Sequence, residues 1–371
     1  MRAQWSKEEA NAWYQRQGCL CGFNYLPRTA VNWNELWQAE TFDIATIDEE
    51  LGWAENVGYN TLRVNLPFIV WLHDREGLFA RIDAFLSVAR KHGMSVMLTL
   101  MDDCGFSGNE PHLGLQEAPI PGVHNSRAVA SPGRDTVCNL SARNSIERYI
   151  HDVITTFRAD GRILLWDLYN EPGNRGIFIS GADEALYAEK LEVFALDLLR
   201  QAFQWARDAN PIQPLTVGAW HIPDPISHSA NTYQHPIDQE ALAQSDVISF
   251  HAYVATPDMV GLINQLNQFG RPLFCTEWLA RHVGSTFEEQ LPLMRTHNIA
   301  CYHWGLVAGK TQTTLPWPSI VKRRKDYAHL WFHDVFDVHG IPFRQSEMAL
   351  VSRFMHSDEM RALETDMRKN D

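Results

Sequence analysis

No apolar run in the 371 residues is long enough to span a membrane, and Met1 to Gly18 is polar and charged throughout. That opening lacks the basic start and the apolar run of about 7–15 residues that mark an export signal, so a cytoplasmic protein is expected. Cysteine is sparse. The six residues, Cys19, Cys21, Cys104, Cys138, Cys275 and Cys301, show no paired Cys-x-x-Cys spacing, which argues against a structural zinc site and a disulfide framework. Four of them fall in apolar runs, and all six are read as reduced core residues. Positive charge is also short: 32 Lys and Arg against 45 Asp and Glu leave −13. Nucleic-acid and anionic-membrane surfaces need clustered cations, so neither partner is expected. The sequence has no internal repeat and no low-complexity linker. It also has no His-Glu-x-x-His and no Gly-x-Ser-x-Gly, which removes the simplest zinc-protease and serine-hydrolase readings.

What the chain does have is 45% apolar residues, 22 glycines, 18 prolines and 13 tryptophans, enough for a large core. Eight short runs rich in β-branched and aromatic residues recur: Cys19–Tyr25, Thr61–Leu66, Ser95–Met101, Ile163–Tyr169, Leu215–Trp220, Val247–Tyr253, Leu273–Trp278 and Ile299–Leu306. Between most of them lie segments of helical period: Ile47–Val57, Leu78–His92, Ala142–Arg158, Leu186–Asn210, Pro257–Phe269 and Thr286–Thr296. Eight such units predict an α/β fold, a single (β/α)8 TIM barrel with long βα loops occupying residues 1–371 as one domain. A doubly wound sheet would want a Gly-rich turn after its first strand, and the chain offers Leu26-Pro27-Arg28 instead. The stretch Asp102–Arg134, broken by repeated Gly and Pro, reads as a long loop leaving the third strand. Beyond the eighth strand, Ala308–Ser346 is rich in Pro, Trp and His, and Ser346–Asn370 reads as a terminal helix.

Two strand ends carry chemistry. Trp166-Asp167-Leu168-Tyr169-Asn170-Glu171-Pro172 closes the fourth run, and Phe274-Cys275-Thr276-Glu277-Trp278 closes the seventh. On a barrel, both carboxyl groups reach the C-terminal rim, where such folds keep their sites. Either one alone is ordinarily a solvated strand-end charge. A pair facing one cleft suits glycoside hydrolysis, in which one acid protonates the leaving oxygen and one carboxylate meets the oxocarbenium-like centre. Tryptophans near strand ends, Trp71, Trp220, Trp278, Trp304 and Trp317, would offer flat faces for sugar rings.

With these residues in hand, the chain resembles the clan A retaining β-glycoside hydrolases, most closely family 5. The matching elements are Asn170-Glu171-Pro172 at strand four, Glu277 at strand seven, Arg63 in strand two, His251-Ala252-Tyr253 at strand six and Trp304 at strand eight. The resemblance spans roughly residues 19–306. It implies that Glu171 is the acid/base and Glu277 the nucleophile, with Tyr253 and Arg63 orienting Glu277 and holding it anionic. It further implies that Asn170 meets the sugar 2-hydroxyl, His251 supports Glu171, and Trp304 floors the subsite. Packing roles for Arg63, His251 and Trp304 remain open at this point. The implied activity is hydrolysis of β-linked oligo- or polysaccharides with no metal or organic cofactor and a carbohydrate as partner. A transglycosylase of the same clan and a catalytically silent carbohydrate-binding barrel are the alternatives.

One departure stands out. Where the family commonly ends strand three with histidine, this sequence has Met101-Asp102-Asp103. Asp102 could bind a hydroxyl pair, replace the imidazole or cap a helix. Asp102, His124 and Gln312 are expected around the bound sugar, the last two from the polar stretches Pro121–Ser126 and Ala308–Gln312. His221, His228 and His235 sit in a polar loop without metal-ligand spacing, and His333-Asp334 is either a supporting pair or a surface turn.

Overall fold

The computed structural model describes residues 2–179, 185–222, 232–326 and 330–355. Eight parallel strands form the barrel, with helices between them. They are β1 (Cys21–Asn24), β2 (Thr61–Asn65), β3 (Ser95–Thr99), β4 (Ile163–Asp167), β5 (Leu215–Thr216), β6 (Ile248–His251), β7 (Leu273–Trp278) and β8 (Ala300–His303). Neighbours pair from β5 through β4, β3, β2, β1, β8 and β7 to β6. The ring closes between β5 and β6 through a bridge from Ala219 to Phe250, where Ala219 N donates to Ser249 O and His251 N donates to Ala219 O. All eight expected strands are present, although the fifth contributes only two ladder residues.

Nearly every strand residue is buried, because side chains pointing outward meet helices and those pointing inward fill the barrel. The helix Arg143–Phe157 shows how the shell is made: Ile146, Tyr149, Ile150, Val153, Ile154 and Phe157 recur three and four residues apart and all turn inward. Gly58, at φ 104°, ends the helix Ile44–Val57 in the left-handed conformation that a side chain resists. Gly22 lies so close to β2 that a Cβ there would stand 2.3 Å from Thr61 O, so only glycine lets β1 approach.

Several helices were not legible as such, among them two that shape the barrel. Pro236–Gln244 fills the βα crossover after β5, and Lys7–Gln15, opened by a capping box at Ser6 and Glu9, plugs the N-terminal end of the barrel. The plug is hydrophobic: Ala10 and Tyr14 are buried with Met97, Leu165, Phe274 and Tyr302, and Trp13 stacks on Phe274. Residues 102–133 form no regular element longer than the isolated bridges from Asp102 to Ser131 and to Asn170, as the Gly and Pro content led one to expect. A helix covers 345–355; the rest of the expected terminal helix, and His228, lie outside the described residues. No helix among those residues is long and apolar enough to cross a membrane.

Candidate active site

The C-terminal ends of the strands surround a cavity of about 390 Å³ that Glu171, Glu277, His251, Tyr253, Trp304 and His124 all help to line. Its foundation is Arg63, fully buried on β2. The guanidinium's Nε and Nη2 donate to Asp167 Oδ2 at 2.9 and 2.6 Å. Nη1 donates to Glu277 Oε1 at 3.0 Å and Asn24 Oδ1 at 2.8 Å, and Nη2 also reaches Asn170 Oδ1 at 2.6 Å. A buried guanidinium is tolerated only where such partners replace water. Asp167 is thus the counterion that lets Arg63 stand inside the barrel. An acid in the otherwise apolar Ile163–Tyr169 run, across the sheet from an Arg, is the signal that could have revealed it.

Each carboxylate has its own donors. Tyr253 Oη donates to Glu277 Oε2 at 2.8 Å, which with Arg63 occupies both oxygens. Glu171 Oε1 lies 2.8 Å from His251 Nδ1, while Oε2 accepts from Asn174 Nδ2 at 2.7 Å and from the Cys104 thiol at 3.0 Å. Glu171, at φ 41°, is held in the left-handed backbone region. One oxygen of Glu171, one of Glu277 and a ring nitrogen of His251 lie within 4.8 Å of one another.

Burial pushes the Glu171 carboxyl up, but the hydrogen bond and charge of His251, with the Cys104 and Asn174 donors, outweigh it and bring it below the ordinary carboxylate value. Burial also pushes Glu277 up. The charges of His251 and Arg63 and the Tyr253 hydroxyl oppose the rise, while the Glu171 charge adds to it, and the net shift is upward. These groups face each other, so the protons belong to the set as a whole. His251 loses proton affinity through burial and regains more from Glu277 and Glu171. Its Nε2 is buried without a hydrogen-bond partner, so the proton with a place to go is the one between Nδ1 and Glu171.

Several expectations need correction. Asp102 is almost fully buried, and its carboxylate is saturated by protein: Oδ2 accepts from Trp33 Nε1 and Asn65 Nδ2, and Oδ1 from Asn170 Nδ2 and the Cys104 amide. It therefore positions Asn170 and has no lone pair to spare for a sugar, the network role among the three considered. Gln312 also faces protein: Nε2 donates to Ile120 O and Val123 O, and Oε1 accepts from Gly122 N. His124 does line the cavity, with Nδ1 donating to Leu315 O at 2.6 Å; burial lowers its pKa to about 4, so it stays neutral. Arg63 and Asn170 lie just beneath the cavity lining.

Among the tryptophans, Trp220, Trp304 and Trp317 line the cavity. Trp278 is completely buried against Phe287, and Trp71 packs on Phe68 and Tyr149 in the helical shell with Nε1 on Asp152; neither can face a sugar here. Cys19 and Cys138 are half-buried rather than core residues, and Cys104, though buried, does more than pack. It lines the cavity against Glu171, where burial, and next the Glu171 charge, push its thiol pKa well up and keep it a donor. Nothing in its local sequence announced this, since the loop around it has no period. Asp103 accepts from Tyr169 Oη and Gly173 N, fixing the turn after Glu171, and burial raises it to about 7. His333 and Asp334 are both buried, so the surface-turn alternative fails.

Residues 27–309 match the family described as cellulase (glycosyl hydrolase family 5). No curated protein sequence matches significantly. Solved structures with the same fold include a GH5_18 protein from Streptomyces cattleya in complex with Manb1-4GlcNAc, at 14% identity, covering 91% of this chain and 81% of that one with a TM-score of 0.59. The endo-1,4-beta-mannanase of Rhizomucor miehei is similar at 12% identity, with 91% and 94% covered and a TM-score of 0.58. The exo-beta-1,4-mannosidase Op5Man5 of an Opitutaceae bacterium, strain TAV5, is similar at 16% identity and a TM-score of 0.58; the match covers 93% of this chain but 60% of the longer neighbour.

Proposed function

Since the chain belongs to glycosyl hydrolase family 5 and is a glycoside hydrolase, we propose that it cleaves β-linked oligosaccharides by double displacement with retention of configuration. The observation that carries this reading is the closeness of the two acids, whose nearest oxygens lie within 4.8 Å. Retaining enzymes hold the two carboxyl groups about 5–5.5 Å apart, whereas inverting ones leave about 6.5–9.5 Å for a water.

Glu277 attacks the anomeric carbon with the oxygen lone pair that Arg63 and Tyr253 leave free and aim. Glu171 gives a proton to the departing glycosidic oxygen, drawing on the proton it shares with His251 Nδ1. In the second step Glu171 takes a proton from water, which displaces Glu277 from the anomeric carbon and restores the starting state. Asn170 supports the first sugar from beneath. Its amide nitrogen is fixed by Asp102 at 2.9 Å and faces the Cys104 sulfur at 3.4 Å, a weak partner that a 2-hydroxyl can replace. Trp304 floors the ring. Transfer to a second sugar would use the same two acids, and release of free sugar in acceptor-poor solution separates the readings.

The decisive measurement is proton NMR of the first-formed product from an aryl β-glycoside, screened across manno, gluco, galacto and xylo configurations. The β-anomer appears first if the double displacement holds; the α-anomer first would overturn it. Glu277→Ala and Glu171→Gln are each expected to lower turnover by orders of magnitude with an unchanged circular dichroism spectrum.

A further inference from the structure

We infer that the cleft accepts one sugar ring on the glycone side of the cleavage point, so that the enzyme removes single residues from non-reducing ends. This rests on the retaining reading above, which fixes direction. The leaving group departs on the side of its proton donor, Glu171 at the end of β4, and the ring that stays behind sits over Trp304 against Glu277. On the acid side, the 390 Å³ cavity continues past Glu171 to Arg175, Glu192, Trp220 and His221, the reach expected of an aglycone site.

The other side is built differently. Beyond Cys104, Trp304 and Asn125, the described residues leave a pocket of only about 30 Å³, bounded by Trp33, Asp102, Thr311 and Asp334. That is room for about one or two waters and none for a second ring. The wall responsible is made where the loops after β1, β3 and β8 meet, and main-chain bonds carry it: Asn125 N donates to Thr311 O at 2.7 Å and Lys310 N to Arg28 O at 3.1 Å. Side chains then tie loop to loop. Asn32 Nδ2 donates to Gln116 Oε1 and Arg127 O, Gln312 spans from the β8 loop to Ile120, Gly122 and Val123, and Lys310 Nζ pairs with Glu35 at 2.8 Å. To admit a second glycone ring, this wall must lose backbone hydrogen bonds, which a side-chain rotation cannot achieve. Gln312, which read as a sugar contact in sequence, thus acts by exclusion.

The test uses the full-length protein and 2-deoxy-2-fluoroglycosyl fluorides, whose fluoride needs no acid to depart, followed by intact-protein mass spectrometry. Single-ring fluorides in manno, gluco, galacto and xylo configurations are compared with the same reagents carrying one further β-1,4-linked ring on O4. A one-ring covalent mass gain at Glu277 with a single-ring reagent, and no two-ring adduct with its counterpart, which can label only with the mass of one ring after losing its outer residue, is the expected result. A two-ring adduct forming at a rate comparable to the one-ring adduct would overturn the one-ring wall while leaving the glycosidase reading intact. Labelling by none of the eight reagents would overturn the glycosidase reading and this inference with it.

Discussion

Replacing Tyr253 with Phe isolates a single hydrogen bond at the reacting centre. The hydroxyl donates to Glu277 Oε2 at 2.8 Å, and the ring itself is held by edge contact with Trp317 at 5.0 Å between centroids and by His333 at 5.5 Å. Phe keeps those contacts, so folding should be little affected. Lost is one charge-assisted bond to a buried carboxylate, about 1.5–3 kcal/mol. At about 1.4 kcal/mol per decade, kcat/KM should fall roughly 12- to 140-fold. The pH dependence adds a second signature. In the proposed double displacement Glu277 must be ionised to attack, and the Tyr253 donor lowers its pKa. Without that donor the pKa rises, so the acidic limb of the kcat/KM profile should move to higher pH while Arg63 still holds Oε1. Steady-state kinetics on an aryl β-glycoside between about pH 4 and 9, with thermal melts in parallel, supply both numbers. An unmoved acidic limb together with undiminished kcat/KM would refute the role given to Tyr253; a collapsed melt would refute the claim that its ring packing survives alone.

Arg63→Met should remove the guanidinium that pairs with both Asp167 and Glu277 and destabilise the barrel by about 3–5 kcal/mol, measured by urea unfolding; unchanged stability would contradict the network described. Cys104→Ala removes a donor that lowers the Glu171 pKa, so that pKa should rise and the alkaline limb of kcat/KM, where the acid loses its proton, should move to higher pH. Burial raises the pKa of Asp334 to about 7, against the opposing hydrogen bonds of the Thr313 hydroxyl and its own backbone amide and the charge of Arg281. A folded-state value above the unfolded one of about 3.9 means that the native protein holds the extra proton between those limits, so Asp334 costs stability as pH rises from about 4 to about 7. Asp334→Asn should therefore gain on the wild type across that window in paired unfolding curves, and parallel curves would contradict the shift.

The strands were legible because each is a short, nearly continuous apolar run, and the barrel followed from their number and the helices between. That two carboxyl groups face one cavity was legible because Glu171 and Glu277 interrupt such runs at their ends. The missed helix Pro236–Gln244 has almost no amphipathic stripe, with Asp238 buried to accept from the Trp220 and His221 amides, so its period gave no signal. The roles of Asp102, Cys104 and Gln312 come from chain segments far apart meeting at the rim. Asp102 takes its partners from residues 33, 65 and 170, and Gln312 reaches back 190 residues, so no local pattern could distinguish a sugar ligand from a clamp. The six cysteines show the limit most plainly: composition read them alike, and one of them turned out to touch the acid.

Glu171 works from a backbone conformation that an L-residue adopts reluctantly, φ 41° just ahead of Pro172. Such a position costs on the order of 1–3 kcal/mol, supplied by the rest of the barrel. Glycine at 171 would shed that cost together with the acid. On the proposed acid/base role, turnover and durability pull in opposite directions at this one residue, and selection for a sturdier barrel alone would drift toward an inert one.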